Sequence, residues 1–155
     1  MKASQENLLT TISELSLSYR PLVKPSERPL VRQAKDVYEI LMGFWNMDSI
    51  HLHESFCMML LNNRKRVLGI VQLSTGGMTG VVADTKMVFG VALKACACSI
   101  IVAHNHPGGD TAPSEADISV TRKLAAAGKL LDLKLDDHLI VTTEGYFSFA
   151  EQGYL

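Results

Sequence analysis

A run of small apolar residues, Ser99-Ile100-Ile101-Val102-Ala103, passes directly into His104-Asn105-His106-Pro107-Gly108-Gly109, and Ser114-Glu115-Ala116-Asp117 follows shortly after. No other stretch constrains the fold as much. The apolar run reads as a buried strand. On an extended backbone, residues two apart share a face, so the imidazoles of His104 and His106 point the same way from its end. Two imidazoles and one carboxylate, His104, His106 and Asp117, make three protein ligands. That is the count of a catalytic zinc site, with the fourth position left for water.

Asp117 has a second reading. Ser114-Glu-Ala-Asp117 is a capping-box pattern, with serine as N-cap and the acid three residues on. The Ser114 hydroxyl can cap a helix or face a reacting oxyanion, and a helix start favours developing negative charge in either case. A hydrolytic metal site also needs a base beside its water, because a metal brings the pKa of bound water from 15.7 to about 7. Glu39, Asp48, Glu54 and Asp84 are the upstream acids. Glu54 opens an apolar strand, where an acid is costly without a role or a partner. It is also readable as a charge at a fraying strand end.

Other polar clusters read as structural. His51-Leu-His53 is a second H-x-H without a following acid and serine, and reads as a surface strand start. Asp136-Asp137-His138 precedes an apolar strand; His138 reads as a structural hydrogen-bond partner, with support of a metal ligand as the other possibility. Cys96 and Cys98 read as small buried hydrophobes. Met58, Met59 and the other methionines read as core filling.

The 155 residues suffice for one domain with a sizeable core. A net charge of −1 argues against strong nonspecific binding to nucleic acid or an anionic membrane. The one dense basic run, Arg64-Lys65-Arg66, reads as a solvated hairpin turn. No apolar run approaches the roughly 20 residues that span a bilayer. Three cysteines and no signal peptide lead us to expect reduced thiols in the cytoplasm.

The periodicity predicts an amphipathic helix over 4–17, a proline-punctuated connector, and a helix over 31–45. Strands are expected over 54–61 and 67–73, joined by a turn at 62–65. A glycine-marked flexible loop, Gly76 to Gly80, borders the cleft in this reading. A brief strand at Val81-Val82, a helix from Asp84 or Thr85 to about Ala95, and a helix from Ser114 to about 128–131 follow. Short strands at 133–135, 139–141 and 146–149 close the chain. These elements predict an α/β fold, a mixed β-sheet sandwiched by helices. Residues 1–29 are expected to be a leader and linker, with the domain over 30–155.

Together these residues resemble the JAMM, or MPN-plus, metalloprotease pattern: an upstream Glu, then His-x-His-Pro, a spacer, Ser, two residues and Asp. Within that superfamily the chain looks like the bacterial RadC-type JAB domain, through Ala103-His-Asn-His-Pro107, Pro113-Ser114, Asp137-His138-Leu-Ile-Val141 and the tail Tyr146 to Glu151. The resemblance implies a cytidine-deaminase-like fold. It implies that His104, His106 and Asp117 bind Zn2+, that Glu54 is general acid and base, and that Ser114 stabilises an oxyanion. The implied reaction is hydrolysis of a peptide or isopeptide bond in a peptide or protein substrate. Two departures stand out. The family's longer members carry an N-terminal helix-hairpin-helix-like region where this chain has a short leader, and Gly108-Gly109 follows Pro107 where the family often has Ser-Gly. The alternative is a non-catalytic zinc-containing binding or scaffold module associated with DNA repair or recombination. A nucleobase deaminase would need H-x-E and P-C-x-x-C patterns, which the sequence lacks.

Overall fold

The computed structural model describes residues 18–155. A short 3-10 turn at Pro25–Glu27 precedes helix α1 (Ala34–Phe44), strands β1 (Ser55–Leu61) and β2 (Val67–Thr75), helix α2 (Thr85–Lys94), strand β3 (Ser99–Asn105), helix α3 (Glu115–Leu130), and strands β4 (Lys134–Val141) and β5 (Tyr146–Ser148). The strands form one mixed sheet in the order β2-β1-β3-β4-β5. The β1–β2, β1–β3 and β4–β5 pairs are antiparallel, and β3 runs parallel to β4 through the α3 crossover. The expected α/β fold, a mixed sheet between helices, is what the chain adopts.

Every residue of β1 and β3 is buried. Central strands covered on both faces read as continuous apolar runs, which is why these two were visible in the sequence. Their alternate side chains separate into two cores. Cys57, Met59, Leu61, Ile101 and Ala103 pack with Val37 and Leu41 of α1, while Phe56, Met58, Leu60, Ile100 and Val102 pack with Val88, Phe89 and Ala92 of α2 and Leu124 of α3. The same alternation sends His104 toward the α3 side and Asn105 toward the other.

The structure differs from the sequence expectations in several places. The helix expected over 4–17 lies outside the described residues. The helix expected from 31 starts at Ala34, because Val31 N bonds to Lys65 O and Leu30 pairs with Arg66. Val81-Val82 is no strand; it belongs to an irregular segment tied back by Ser74 Oγ donating to Val82 O. The strands expected at 133–135 and 139–141 are one strand, β4, with a bulge where Ile100 faces Leu135 and Ile101 faces Asp137. His51 and His53 lie in a turn before β1. Lys65 is tied down within its turn, since its Nζ donates to Ser99 Oγ at 2.9 Å and to Asp136 Oδ2. Cys96 and Cys98 are exposed rather than buried. Met58 and Met59 fill the core, but Met47, Met78 and Met87 face solvent. Among the described residues no helix is long and apolar enough to cross a membrane.

Candidate metal centre

The C-terminal end of β3 carries the centre. β3 lies between β1 and β4, so His104 is held from both sides, with Phe56 opposite it on β1 and Ile140 on β4. His106 follows one residue past the strand, where its N–H bonds to Val141 O. The chain then turns through Pro107 to Gly109, whose positive φ of 84° is a conformation that glycine adopts without a Cβ penalty. It returns at Ser114, the N-cap of α3.

Ser114 and Asp117 form the reciprocal capping box. Ser114 Oγ accepts from Asp117 N at 3.2 Å, and Ser114 N donates to Asp117 Oδ2 at 2.8 Å. Ser114 Oγ also donates to Asp117 Oδ2 at 2.6 Å. Both readings of Asp117 therefore hold at once, because its other oxygen, Oδ1, lies 3.1 Å from His104 Nε2. His104 Nε2 is 3.1 Å from His106 Nε2, and His106 Nε2 is 3.7 Å from Asp117 Oδ2. Ligand atoms of His104, His106 and Asp117 all fall within 4.8 Å of one another, a group positioned to hold a metal ion. His104 is 2% exposed, while His106 and Asp117 open to a cleft.

Electrostatics reinforce the convergence. Burial alone would raise the Asp117 pKa, but the His104 and His106 imidazoles and the Ser114 hydroxyl beside it hold the carboxyl well below the usual carboxylate range. The Asp117 hydrogen bond raises the His106 pKa against the opposing effect of burial, and the Glu54 charge adds to the rise. Both His106 nitrogens face acceptors, since Nδ1 lies 2.7 Å from Asp110 O.

Glu54 immediately precedes β1. Its backbone bonds to Gly77 O and Gly76 N, at the far end of β2. It lines a cleft of about 360 Å³ together with His106, Ser114, Asp117 and the Met78–Val81 segment. The structure thus brings Glu54, His106, Ser114 and Asp117 around one opening, with His104 buried behind it, and the glycine loop borders that opening. Gly76 is confined there, because a Cβ on it would meet Gly80 O at 2.0 Å. The decoy pair stays apart: neither His51 nor His53 joins the metal-holding group.

A family model described as RadC-like JAB domain matches residues 31–154. The chain belongs to the RadC-like JAB domain family. It is 44% identical over 101 residues to a UPF0758 protein of Flavobacterium johnsoniae, covering 65% of this chain and 44% of that one. UPF0758 protein STH371 of Symbiobacterium thermophilum is 35% identical over 146 residues, 94% of this chain and 61% of its own. A UPF0758 protein of Porphyromonas gingivalis is 34% identical over 149 residues, 95% and 64% respectively. The chain therefore spans between 44% and 64% of the length of these relatives.

In this RadC-like domain, two supporting residues, Asn105 and Thr121, went unrecognised in the sequence, and His138, expected as a structural hydrogen-bond partner or as support of a metal ligand, joins them. Asn105, the middle residue of H-x-H, donates through Nδ2 to Ile50 O at 2.7 Å and His53 O at 2.9 Å, and accepts from Ser55 N at 2.7 Å through Oδ1. These bonds bracket Glu54. His138 and Thr121 stand behind the ligands. His138 Nε2 is 2.9 Å from His104 Nδ1, and Thr121 Oγ1 is 2.6 Å from both His138 Nδ1 and Asp117 O. Burial pushes the His138 pKa well down, so its ring is neutral. The signal available was a polar residue at a position whose neighbours are buried, which is costly without partners.

Proposed function

We propose that this domain is a zinc-dependent hydrolase of the JAMM type that cleaves a peptide or isopeptide bond. The observation that carries the reading is the convergence of His104, His106 and Asp117 on one point, in a cleft that Glu54 and Ser114 also line. The donor set suits the metal. Zinc takes imidazole nitrogen and carboxylate oxygen at about 2.0–2.2 Å, and tetrahedral geometry then separates neighbouring donors by about 3.3 Å. The separations here are 3.1 Å between the two Nε2 atoms and 3.1 Å from His104 Nε2 to Asp117 Oδ1. A bound zinc ion would supply Lewis acidity and a water acidified toward neutral pH.

The chain's own residues supply the rest. Glu54 takes the proton from the attacking water and returns it to the leaving amine. His104 and His106 remain neutral donors, and Asp117 remains ionised. Ser114 stands at the N-terminus of α3, where free N–H groups and the hydroxyl favour an oxyanion.

A second reading, a module that holds metal without turnover, is favoured by Ser114 itself, whose hydroxyl proton is directed at Asp117 Oδ2. One experiment separates them. Metal content is measured by elemental mass spectrometry for the unaltered protein and for His104→Ala, and zinc-loaded protein is assayed on peptide and isopeptide substrates beside Glu54→Gln. The hydrolase reading expects about one zinc per chain, lost in His104→Ala. It further expects hydrolysis that falls about 10²–10⁴-fold in Glu54→Gln with zinc retained. Stoichiometric zinc with no hydrolysis of any substrate supports the binding module.

A further inference from the structure

We propose that His138 and Thr121 are positioning residues that fix the proton of His104 on Nδ1, leaving its Nε2 lone pair aimed at His106 and Asp117. The proposal rests on the metal-site reading above, but its first test does not need the metal.

The direction of each bond follows from what each atom can do. Asp117 O is a carbonyl and only accepts, so the Thr121 hydroxyl, 2.6 Å away on the next turn of α3, donates to it. Thr121 Oγ1 then accepts from His138, whose proton must lie on Nδ1. The His138 ring is fully buried and neither nitrogen meets a carboxylate, so it is neutral and carries one proton, which leaves Nε2 a bare acceptor. It sits 2.9 Å from His104 Nδ1, which must be the donor. His104 therefore presents an unprotonated Nε2 to the centre. The chain of bonds begins at the His104 ring and ends at the main chain of Asp117, so two of the three prospective ligands are fixed by one relay.

Nothing else can satisfy these groups. His104, Thr121 and His138 are 2%, 1% and 0% exposed, so water cannot replace a missing partner. The His138 ring is clamped as well. Phe149 stacks on it with centroids 4.7 Å apart and planes 9° apart, and Phe56 meets its edge at 6.0 Å. The opposite direction is chemically self-consistent but has a different result. If Thr121 donated to His138 Nδ1, the His138 proton would sit on Nε2, His104 would accept at Nδ1, and its own proton would occupy Nε2 inside the centre. A ligating histidine whose second nitrogen is fixed by a hydrogen bond is the general way a ligand's tautomer is set.

The test has two parts. Two-bond proton–nitrogen correlation spectra of the ¹⁵N-labelled, metal-free protein report the tautomers directly. We expect the proton on Nδ1 of both His104 and His138; protons on Nε2 of both overturn the proposal whatever the protein does with zinc. Zinc affinity is then compared for His138→Leu and Thr121→Val against His138→Gln and Thr121→Ser, which keep the donor and acceptor. The first pair should lose about 10–100-fold in affinity, and the second pair should stay close to the unaltered protein. Equal affinity across all four overturns the proposal and leaves the metal-site reading standing. Failure of the unaltered protein to take up zinc sinks that reading instead, and the tautomer spectra still decide this one. Thr121→Val, the smaller change, carries the comparison if His138→Leu does not fold.

Discussion

Asn105 separates two functions that the H-x-H spacing superimposes. His104 and His106 lie on one face of the strand's end, while the Asn105 side chain turns to the other and ties down Ile50, His53 and Ser55. Its three bonds flank Glu54, so the residue that would move protons is placed by the residue between the two ligands. Replacing Asn105 by alanine leaves Ser55 N–H and two carbonyls buried without partners, at a cost on the order of 1–3 kcal/mol. The expected result for Asn105→Ala is a lower melting temperature, near-normal zinc content and reduced hydrolysis. Zinc loss equal to that of His104→Ala would show instead that Asn105 holds the strand end as a whole. Ser114 gives a contrasting case at the same scale. Its hydroxyl both caps α3 and orders Asp117, so Ser114→Ala should cost about 1 kcal/mol of stability by thermal denaturation with zinc kept.

The elements were legible where their cause is local. β1 and β3 are unbroken apolar runs, and the start of α3 is written in Ser114-x-x-Asp117, four residues wide. β4 was not, because the polar run Asp136-Asp137-His138 in its middle reads as a break. What allows the strand through is distant. Asp137 accepts from Ser148 Oγ at 2.6 Å and Ala150 N at 2.9 Å, Lys65 reaches Asp136 from the β1–β2 turn, and His138 meets Thr121 and His104. None of these partners has a signature near residue 137, and the same distance hid Thr121, the partner of His138 behind the centre. The group of His104, His106 and Asp117, positioned to hold a metal ion, was readable from spacing, whereas Asn105 and Thr121 behind it were not. The loop after α3 shows the same dependence on close approach. Gly128 N-terminal to that loop accepts from Leu131 N and Leu133 N, and a Cβ there would meet Leu133 O at 2.4 Å. Backbone cannot yield as a side-chain tip can, so Gly128→Ala should destabilise by about 1–3 kcal/mol in chemical denaturation. An unchanged denaturation midpoint would mean that the α3–β4 connection relaxes freely.

At the scale of the whole molecule, the centre ties together the end of β3, the first turn of α3 and, through the relay, the middle of β4. A metal bound there stabilises the fold by RT ln(1 + [L]/Kd), about 2.7 kcal/mol at a hundredfold excess over Kd. Protons compete for the same nitrogens. The Asp117 hydrogen bond raises the His106 pKa above its ordinary 6.5, so this competition starts above that pH. The metal-free protein responds in the opposite sense. Its His106–Asp117 pair contributes stability through His106 that is complete below the unfolded pKa of 6.5 and is lost as pH rises through the raised folded value. Through Asp117, whose pKa is lowered, it contributes stability present above 3.8 and lost as pH falls through the folded value. Between about pH 4 and 6.5 the metal-free centre is thus at its most stable while the metal-loaded one is losing its ion. His138, buried and neutral in both forms, cancels in the difference between them. The difference in melting temperature between zinc-loaded and chelator-treated protein should therefore be large near pH 8 and shrink steadily toward about pH 5.5. A difference that stays constant over that range would place the metal on groups other than His104, His106 and Asp117.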